Sequence, residues 1–198
     1  MRVTLIVLLV AAVIFIVLQA FTAVSTARTE QQAYTVVERD GAFEVRHYPS
    51  ALLASVEAPD TSYRAAANPS FRRLAGYIFG GNETNRSIAM TAPVHMEMGS
   101  GGSRMSFVLP SAMTMDSLPA PNDPGVSFGQ LPECHMATLR FGGFADDATL
   151  RVKEAELLAA CRAHGLEVAG PVRFLGYDQP WQLVARRNEV AAPVRWPR

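Results

Sequence analysis

In residues 3–24, 19 of 22 positions are apolar, and only Thr4, Gln19 and Thr22 interrupt the run. No other feature constrains the chain so strongly. As an α-helix the run would be roughly 33 Å long, enough to cross the hydrocarbon core of a bilayer. It is apolar on every side, which a buried core helix explains poorly. Arg2 and the terminal amine precede it, and Arg28 beyond it is offset by Glu30. The bias of positive charge toward the cytoplasm then puts the N-terminus inside and everything after the run outside. Ser25-Thr26-Ala27 is also a passable cleavage site, so a removed signal peptide rivals a retained anchor. The length of the run favours the anchor. Both readings divide the chain into residues 1–28, a transmembrane anchor or signal peptide, and residues 29–198, a single domain that is membrane-anchored or secreted on the extracytoplasmic side.

With the run set aside, the composition changes character. The 198 residues hold 18 Lys+Arg and 18 Asp+Glu, a formal net charge of zero. Without Arg2 and Arg28, residues 29–198 hold 16 basic and 18 acidic residues. A mildly acidic domain is not built to grip nucleic acid by bulk electrostatics. An apolar content of 49% over the whole chain argues against disorder. Two cysteines are too few for a disulfide scaffold or a four-cysteine zinc site. Cys134 and Cys161 read as two buried thiols, with a bridge between them left as the alternative.

The domain opens with a hairpin signal: a β-rich segment at 34–39, the turn pair Asp40-Gly41, and a return strand over 42–48. In that return strand Phe43, Val45 and His47 share one face, and Glu44, Arg46 and Tyr48 the other. Leu52, Ala54 and Val56 alternate in a third strand. Asn68 and Pro69 read as the cap and first residue of a helix whose Phe71, Leu74, Ala75 and Ile78 form a buried face, stopped by Gly80-Gly81. Residues 87–98 read as one strand with Ile88, Met90, Ala92, Val94, Met96 and Met98 aligned. Strands follow at 105–109, 126–131 and 134–141, then a helix capped by Asp146 and closed by Gly165, then strands at 172–177 and 182–186.

Both halves thus read hairpin, helix, hairpin, with corresponding points 83 to 85 residues apart (Pro49 and Pro132; Gly80 and Gly165). The pattern predicts an α+β fold: a distorted eight-stranded antiparallel β-barrel with two flanking helices and a pseudo-twofold repeat. The groove between the halves is the default ligand site.

Short motifs add a family. Phe71-Arg-Arg-Leu74-Ala-Gly-Tyr77-Ile78-Phe79-Gly80-Gly81-Asn82, followed by Ile88-Ala-Met90-Thr91-Ala92-Pro93-Val94, resembles the SOUL haem-binding family. Glu44-Val45-Arg46-His47-Tyr48, Gly176-Tyr177-Asp178-Gln179-Pro180-Trp181 and Arg187-Asn188-Glu189-Val190 agree with it. The resemblance covers about residues 34–194. It implies a barrel related to bacterial effector-binding domains, and non-covalent binding of haem or another tetrapyrrole in an apolar groove. Periodicity and spacing alone do not lead to haem.

The resemblance gives the candidate residues their meaning. His47 is the candidate axial and metal ligand, because a histidine in this strand has that proposed role in some animal relatives. The plain alternative is a hydrogen-bonded histidine at a barrel rim. His95 shares its strand face with Thr91 and Glu97 and reads as solvated. His135 begins its strand, and His164 reads as a C-terminal partner of a helix dipole. Met90 and Met96 are candidate haem contacts, since thioethers pack against flat π-systems and can ligate iron, although a methionine stripe is more often core. Arg64 and Arg72, with Arg73 beside them, could pair with propionates. No Cys-x-x-Cys-His supports covalent haem.

There is no phosphate loop, no His-Glu-x-x-His and no Gly-x-Ser-x-Gly, so no catalytic set stands out. Three functions remain open. They are an exported haem or tetrapyrrole binder, a module for other hydrophobic or amphipathic molecules on the same fold, and a tetrapyrrole-modifying enzyme. The first is the expectation.

Overall fold

The apolar run forms one helix, α1 (Arg2–Arg28), of 27 residues. Its Leu5, Ile6, Leu8, Leu9 and Val17 are uncovered by the rest of the chain. The computed structural model describes residues 2–179 and 181–196, and within α1 it describes no side chains at 2, 3, 11, 16, 20, 21, 23–25 and 27. Counted over the described residues alone, no helix is long and apolar enough to cross a membrane. Ten side chains of α1 stand outside that count.

After α1 come β1 (Glu30–Gln31), β2 (Thr35–Asp40), β3 (Phe43–Tyr48), β4 (Ala51–Ala58) and α2 (Tyr63–Ile78). Then follow β5 (Thr91–Ala92), β6 (Val94–Gly99), β7 (Gly102–Val108) and a single 3-10 turn (Met115–Ser117). The second half holds β8 (Val126–Leu131), β9 (Cys134–Phe141), α3 (Asp147–Ala163), β10 (Glu167–Val168), β11 (Arg173–Gly176) and β12 (Asn188–Arg195).

The main sheet runs β2-β3-β9-β12-β11-β6-β7-β4-β8, with β10 added beside β12. Exchanging β3 with β8, β4 with β9, β6 with β11 and β7 with β12 reverses the order of eight strands and reproduces it. The predicted repeat is therefore present in the pairing itself. Each half lends its leading strand to the other: β3 pairs with β9, and β8 with β4.

The α+β class and the two flanking helices agree with expectation. The sheet is a curled half-barrel rather than a closed one, since its edge strands β2 and β8 do not pair with each other among the described residues. Its two faces carry different cores. On one face α2 and α3 cover Phe43, Val45, Val56, Met96, Phe107 and Val190, with Leu74, Ile78, Leu150 and Leu157 from the helices. On the other, Tyr48, Met136, Leu175 and Ala191 form a second, smaller core, with Tyr34, Leu53 and Cys134 packed against it.

Three local expectations are corrected. Helix α2 starts at Tyr63, not Asn68, and Pro69 lies inside it. Its first turn is capped from a distance: Asp147, at the start of α3, accepts from Ser62 Oγ at 3.0 Å, Tyr63 N at 2.7 Å and Arg64 N at 3.3 Å. An N-terminal carboxylate satisfies the free amides there, which relieves Asn68 of the role. The single strand predicted for 87–98 is broken at the cis Ala92–Pro93 bond into β5 and β6. Residues 182–186 form a loop instead of a strand, with Ala185 in the left-handed region (φ 54°). Asp146 caps α3 as predicted, accepting from Thr149 N at 2.7 Å.

Candidate functional site: an apolar groove under the first flanking helix

A groove of about 380 Å³ opens between α2, the β6–β11 seam and the loop leading to β12. Phe71 and Ala67 of α2 form one wall. Val94, Met96, Met105 and Phe174 of the sheet form the floor. Phe144, Ala145, Asp178 and Arg186 form the mouth. Tyr63 packs edge-on against Phe174, with ring centres 5.2 Å apart. A Cβ at Gly176 would lie 3.2 Å from the Phe174 ring, so the bare glycine keeps that ring in place.

Two guanidinium groups border this apolar surface, those of Arg64 and Arg186. Arg186 Nη1 donates to Gln179 O at 3.0 Å and Gln182 O at 2.7 Å, and the guanidinium stacks over Phe144 at 4.9 Å. Its Nε is buried with no hydrogen-bond partner. An unmet N–H costs free energy that an arriving acceptor would recover. Burial raises the Tyr63 phenol above its usual range, against the pull of the Arg186 charge, so it stays a neutral donor.

The structure brings Arg64 and Met96 together here. Met96 is almost wholly buried, at 1% exposure, and contributes to the floor. Met90 packs against the same core but does not line the groove. Arg72 is exposed on α2, and Arg73 pairs bidentately with Asp123 at 2.7 and 2.8 Å. Neither reaches the groove.

His47 lies elsewhere. It does share a face with Phe43 and Val45, but it sits past the area the helices cover, in a shallow cleft with Thr35, Val37, Glu133, His135 and Trp196. Its Nε2 meets Glu133 Oε1 at 2.8 Å, and its ring lies 5.1 Å from that of His135. No cluster of three or more His, Cys, Asp or Glu suited to a metal occurs among the described residues. His95 is buried rather than solvated, at 2% exposure, because its side chain faces the interior of the curled sheet and meets Gln32 Oε1 at 2.9 Å. Burial, with the Arg173 charge adding to it, lowers its pKa to about 3. His164 ends α3, stacks on Phe43 and pairs with Glu38 at 2.8 Å. Cys134 and Cys161 are free thiols.

Sequence reasoning missed Arg186, Phe144 and Phe174. Arg186 lies five residues past the Gly176–Trp181 motif, and only its place in the folded loop gives it a role. A larger cleft of about 440 Å³ lies beside β1, lined by polar groups such as Glu30, Gln32, Ser111 and Gln130. Its apolar part, with Leu52, Leu109 and Met113, is interleaved with these polar groups, and no arginine lines it.

The signature motifs themselves build the interior of the sheet. Arg46 donates to Glu44, Tyr48 and both oxygens of Glu189. Arg187 and Tyr177 also donate to Glu189. Asn82 donates to the Tyr77 and Arg86 carbonyls and so fixes the turn after α2.

The chain is an α+β protein in which a pseudo-symmetric curled sheet and two flanking helices frame an apolar, arginine-rimmed groove. The profile of the SOUL heme-binding protein family matches residues 29–193, and the chain belongs to that family. Mouse heme-binding protein 2 (Mus musculus) is 30% identical over 158 residues, spanning 76% of this chain and 77% of its own length. Pig heme-binding protein 1 (Sus scrofa) is 25% identical over 160 residues, spanning 77% and 84%. Among solved structures, the EcmrR C-terminal domain aligns with a TM-score of 0.58 at 13% identity, over 83% of this chain and 99% of that domain. SAV2435, solved bound to tetraphenylphosphonium, aligns at 0.50 and 10% identity, over 77% and 93%. At these identities the likeness is one of fold.

Proposed function

We propose that the chain is a membrane-anchored, exported binder of haem or a related tetrapyrrole, held non-covalently in the groove under α2. The observation that carries this is the pairing of an apolar floor (Val94, Met96, Phe174) with a guanidinium whose buried Nε lacks a partner, Arg186. The residues present fit such a ligand. A porphyrin face would pack on Met96 and Phe174, and its carboxylates would meet Arg186 and Arg64 at the rim. Burial of the flat apolar surface supplies affinity at about 25 cal/mol per Å². The groove is lined by no histidine, so binding there does not need His47. Haem iron would supply redox chemistry when bound, and the groove residues named here would hold and orient the ring.

Titrating the purified chain with haemin and following the Soret band tests the reading. A saturable shift at micromolar haemin is expected, weakened by Arg186→Gln. No saturation at those concentrations overturns it.

Export rests on the apolar run, its flanking charges, and the exposed apolar side chains along α1. Alkaline extraction of membranes and the mass of the mature chain test it: a chain that stays in the membrane at full mass is a retained anchor. A second reading keeps the groove and changes the ligand. Asp178 adds a carboxylate to the mouth, which suits an amphipathic cation. Displacement of haemin by tetraphenylphosphonium would favour that reading.

A further inference from the structure

Gln19 is the one amide inside the apolar run, and its side chain is spent on the loop between two groove-lining residues, Asp178 and Arg186. Its Nε2 donates to Trp181 O at 3.3 Å, and its Oε1 accepts the Leu183 N–H at 2.9 Å. Two turns further along α1, Thr26 Oγ1 donates to Gln182 Oε1 at 3.0 Å. The loop is thus fastened along the end of the helix. The other end of the same segment lines the groove through Gly176, Asp178 and Arg186.

The join between α1 and the sheet is also fixed. β1 pairs with β5 directly after the helix, Gln32 N donates to Ala92 O at 2.8 Å, and Arg187 Nη1 donates to Gln31 Oε1 at 3.3 Å. The domain therefore does not hang from a free tether.

By the helical rise, Gln19 lies roughly 8 Å inside the end of the apolar run. Thr26 lies about 3 Å beyond that end, so a loop fastened to both Gln19 and Thr26 straddles the level where a spanning helix leaves the hydrocarbon. The side chains placed there suit that level. Trp181, Leu183 and Val184 are 61%, 47% and 56% exposed, and Phe144, under the Arg186 guanidinium, is 59% exposed. Tryptophan favours the headgroup boundary, where its apolar ring and polar N–H are both accommodated. In water these side chains would be exposed apolar surface, left uncovered by the described residues.

We propose that loop 181–184 is a membrane-docking element. Held by Gln19, it lays Trp181, Leu183 and Val184 into the headgroup boundary of a phospholipid bilayer and seats the mouth of the groove on the lipid surface. An amphipathic ligand dissolved in lipid then reaches Phe144 and the groove without crossing bulk water. This rests on the reading of α1 as a retained anchor.

The test uses the full chain, free of ligand, reconstituted in phosphatidylcholine vesicles. The chain has two tryptophans, so Trp196→Phe leaves Trp181 as the sole fluorophore. The chain is expected to float with the vesicles. Phosphatidylcholine brominated near the top of its acyl chains is expected to remove roughly half or more of the Trp181 emission. Adding Gln19→Leu should keep flotation and return much of that emission. Flotation with emission untouched by brominated lipid overturns the docking and leaves the anchor standing. Failure to float overturns the anchor and the docking with it. Equal quenching with and without Gln19→Leu overturns the assignment of Gln19 as the clamp.

Discussion

Arg46 and Glu189 meet inside the curled sheet, with Nη1 and Nη2 of the arginine at 2.6 and 3.0 Å from the two carboxylate oxygens. Glu189 is wholly buried, and Arg46 is 3% exposed. Tyr177 donates to the same carboxylate, and Arg187 places its Nε at 3.0 Å from it. The pair ties β3 to β12 across β9, and through Arg187 it holds the root of the loop that frames the groove.

Glu189→Gln removes the fully buried partner of Arg46 and leaves it only Glu44, at 2.6 Å, as a counter-charge. A loss of about 3–5 kcal/mol is expected, as for other broken buried pairs, read as a lower thermal midpoint by circular dichroism. Burial alone would raise the Glu189 pKa, but the Arg46 hydrogen bonds and the charges of Arg46 and Arg187 outweigh it and leave it lowered. A lowered carboxylate pKa means this contribution is present above the unfolded value of 4.5 and is lost as pH falls below it. Arg46→Met should lose stability as well, because the buried carboxylate then keeps only Arg187 and Tyr177 as donors.

His95 acts in a different pH window. Its folded pKa of about 3 lies below the ordinary histidine value of 6.5, so the unfolded chain takes up the proton first. Stability is full above 6.5 and falls as pH drops toward 3. At pH 5 the loss relative to pH 7 is about 2 kcal/mol, at 1.36 kcal/mol per pH unit. His95→Asn should flatten the melting curve between pH 7 and pH 5. An unchanged pH slope in that variant would refute the assignment.

Asp147 joins the two flanking helices, and Asp147→Ala removes three hydrogen bonds at the start of α2 at once. A loss of about 1–2 kcal/mol is expected for a cap of this kind. Amide hydrogen exchange should quicken at Tyr63 and Arg64 before it does in the sheet.

Haem titration separates the groove from the histidine cleft. Arg186→Gln should weaken haemin binding about tenfold, the worth of a charge-assisted hydrogen bond of about 1.5 kcal/mol. His47→Ala should leave the Soret titration unchanged, since His47 is hydrogen-bonded to Glu133 outside the groove. A lost Soret shift in His47→Ala would move the site to the cleft.

Much of this protein is written locally. Hairpin alternation in residues 34–48, the Asp146 cap and the Gly80 stop are all set by neighbours within a few residues, so periodicity and turn chemistry reveal them. The repeat is legible for the same reason: each half carries its own copy of the pattern. Misreadings came where the deciding partner is distant in sequence. The start of α2 is set by Asp147, 84 residues on from Tyr63. The burial of His95 depends on Gln32, 63 residues before it.

The sequence by itself determined the apolar helix, the α+β class, the twofold pattern and the family, because hydrophobic period and short motifs are properties of adjacent residues. Only the tertiary structure decided which candidates converge. Strand register puts Met96 opposite Phe174 and Met105 on the groove floor, while the same alternation carries His47 past the covered face to Glu133. The register is a long-range choice between strands that hide both faces of the sheet, and no local period encodes it. The clamp of Gln19 on Trp181 is of the same kind. An amide in an apolar run reads as an interruption until the fold brings, from 162 residues away, the carbonyl it serves.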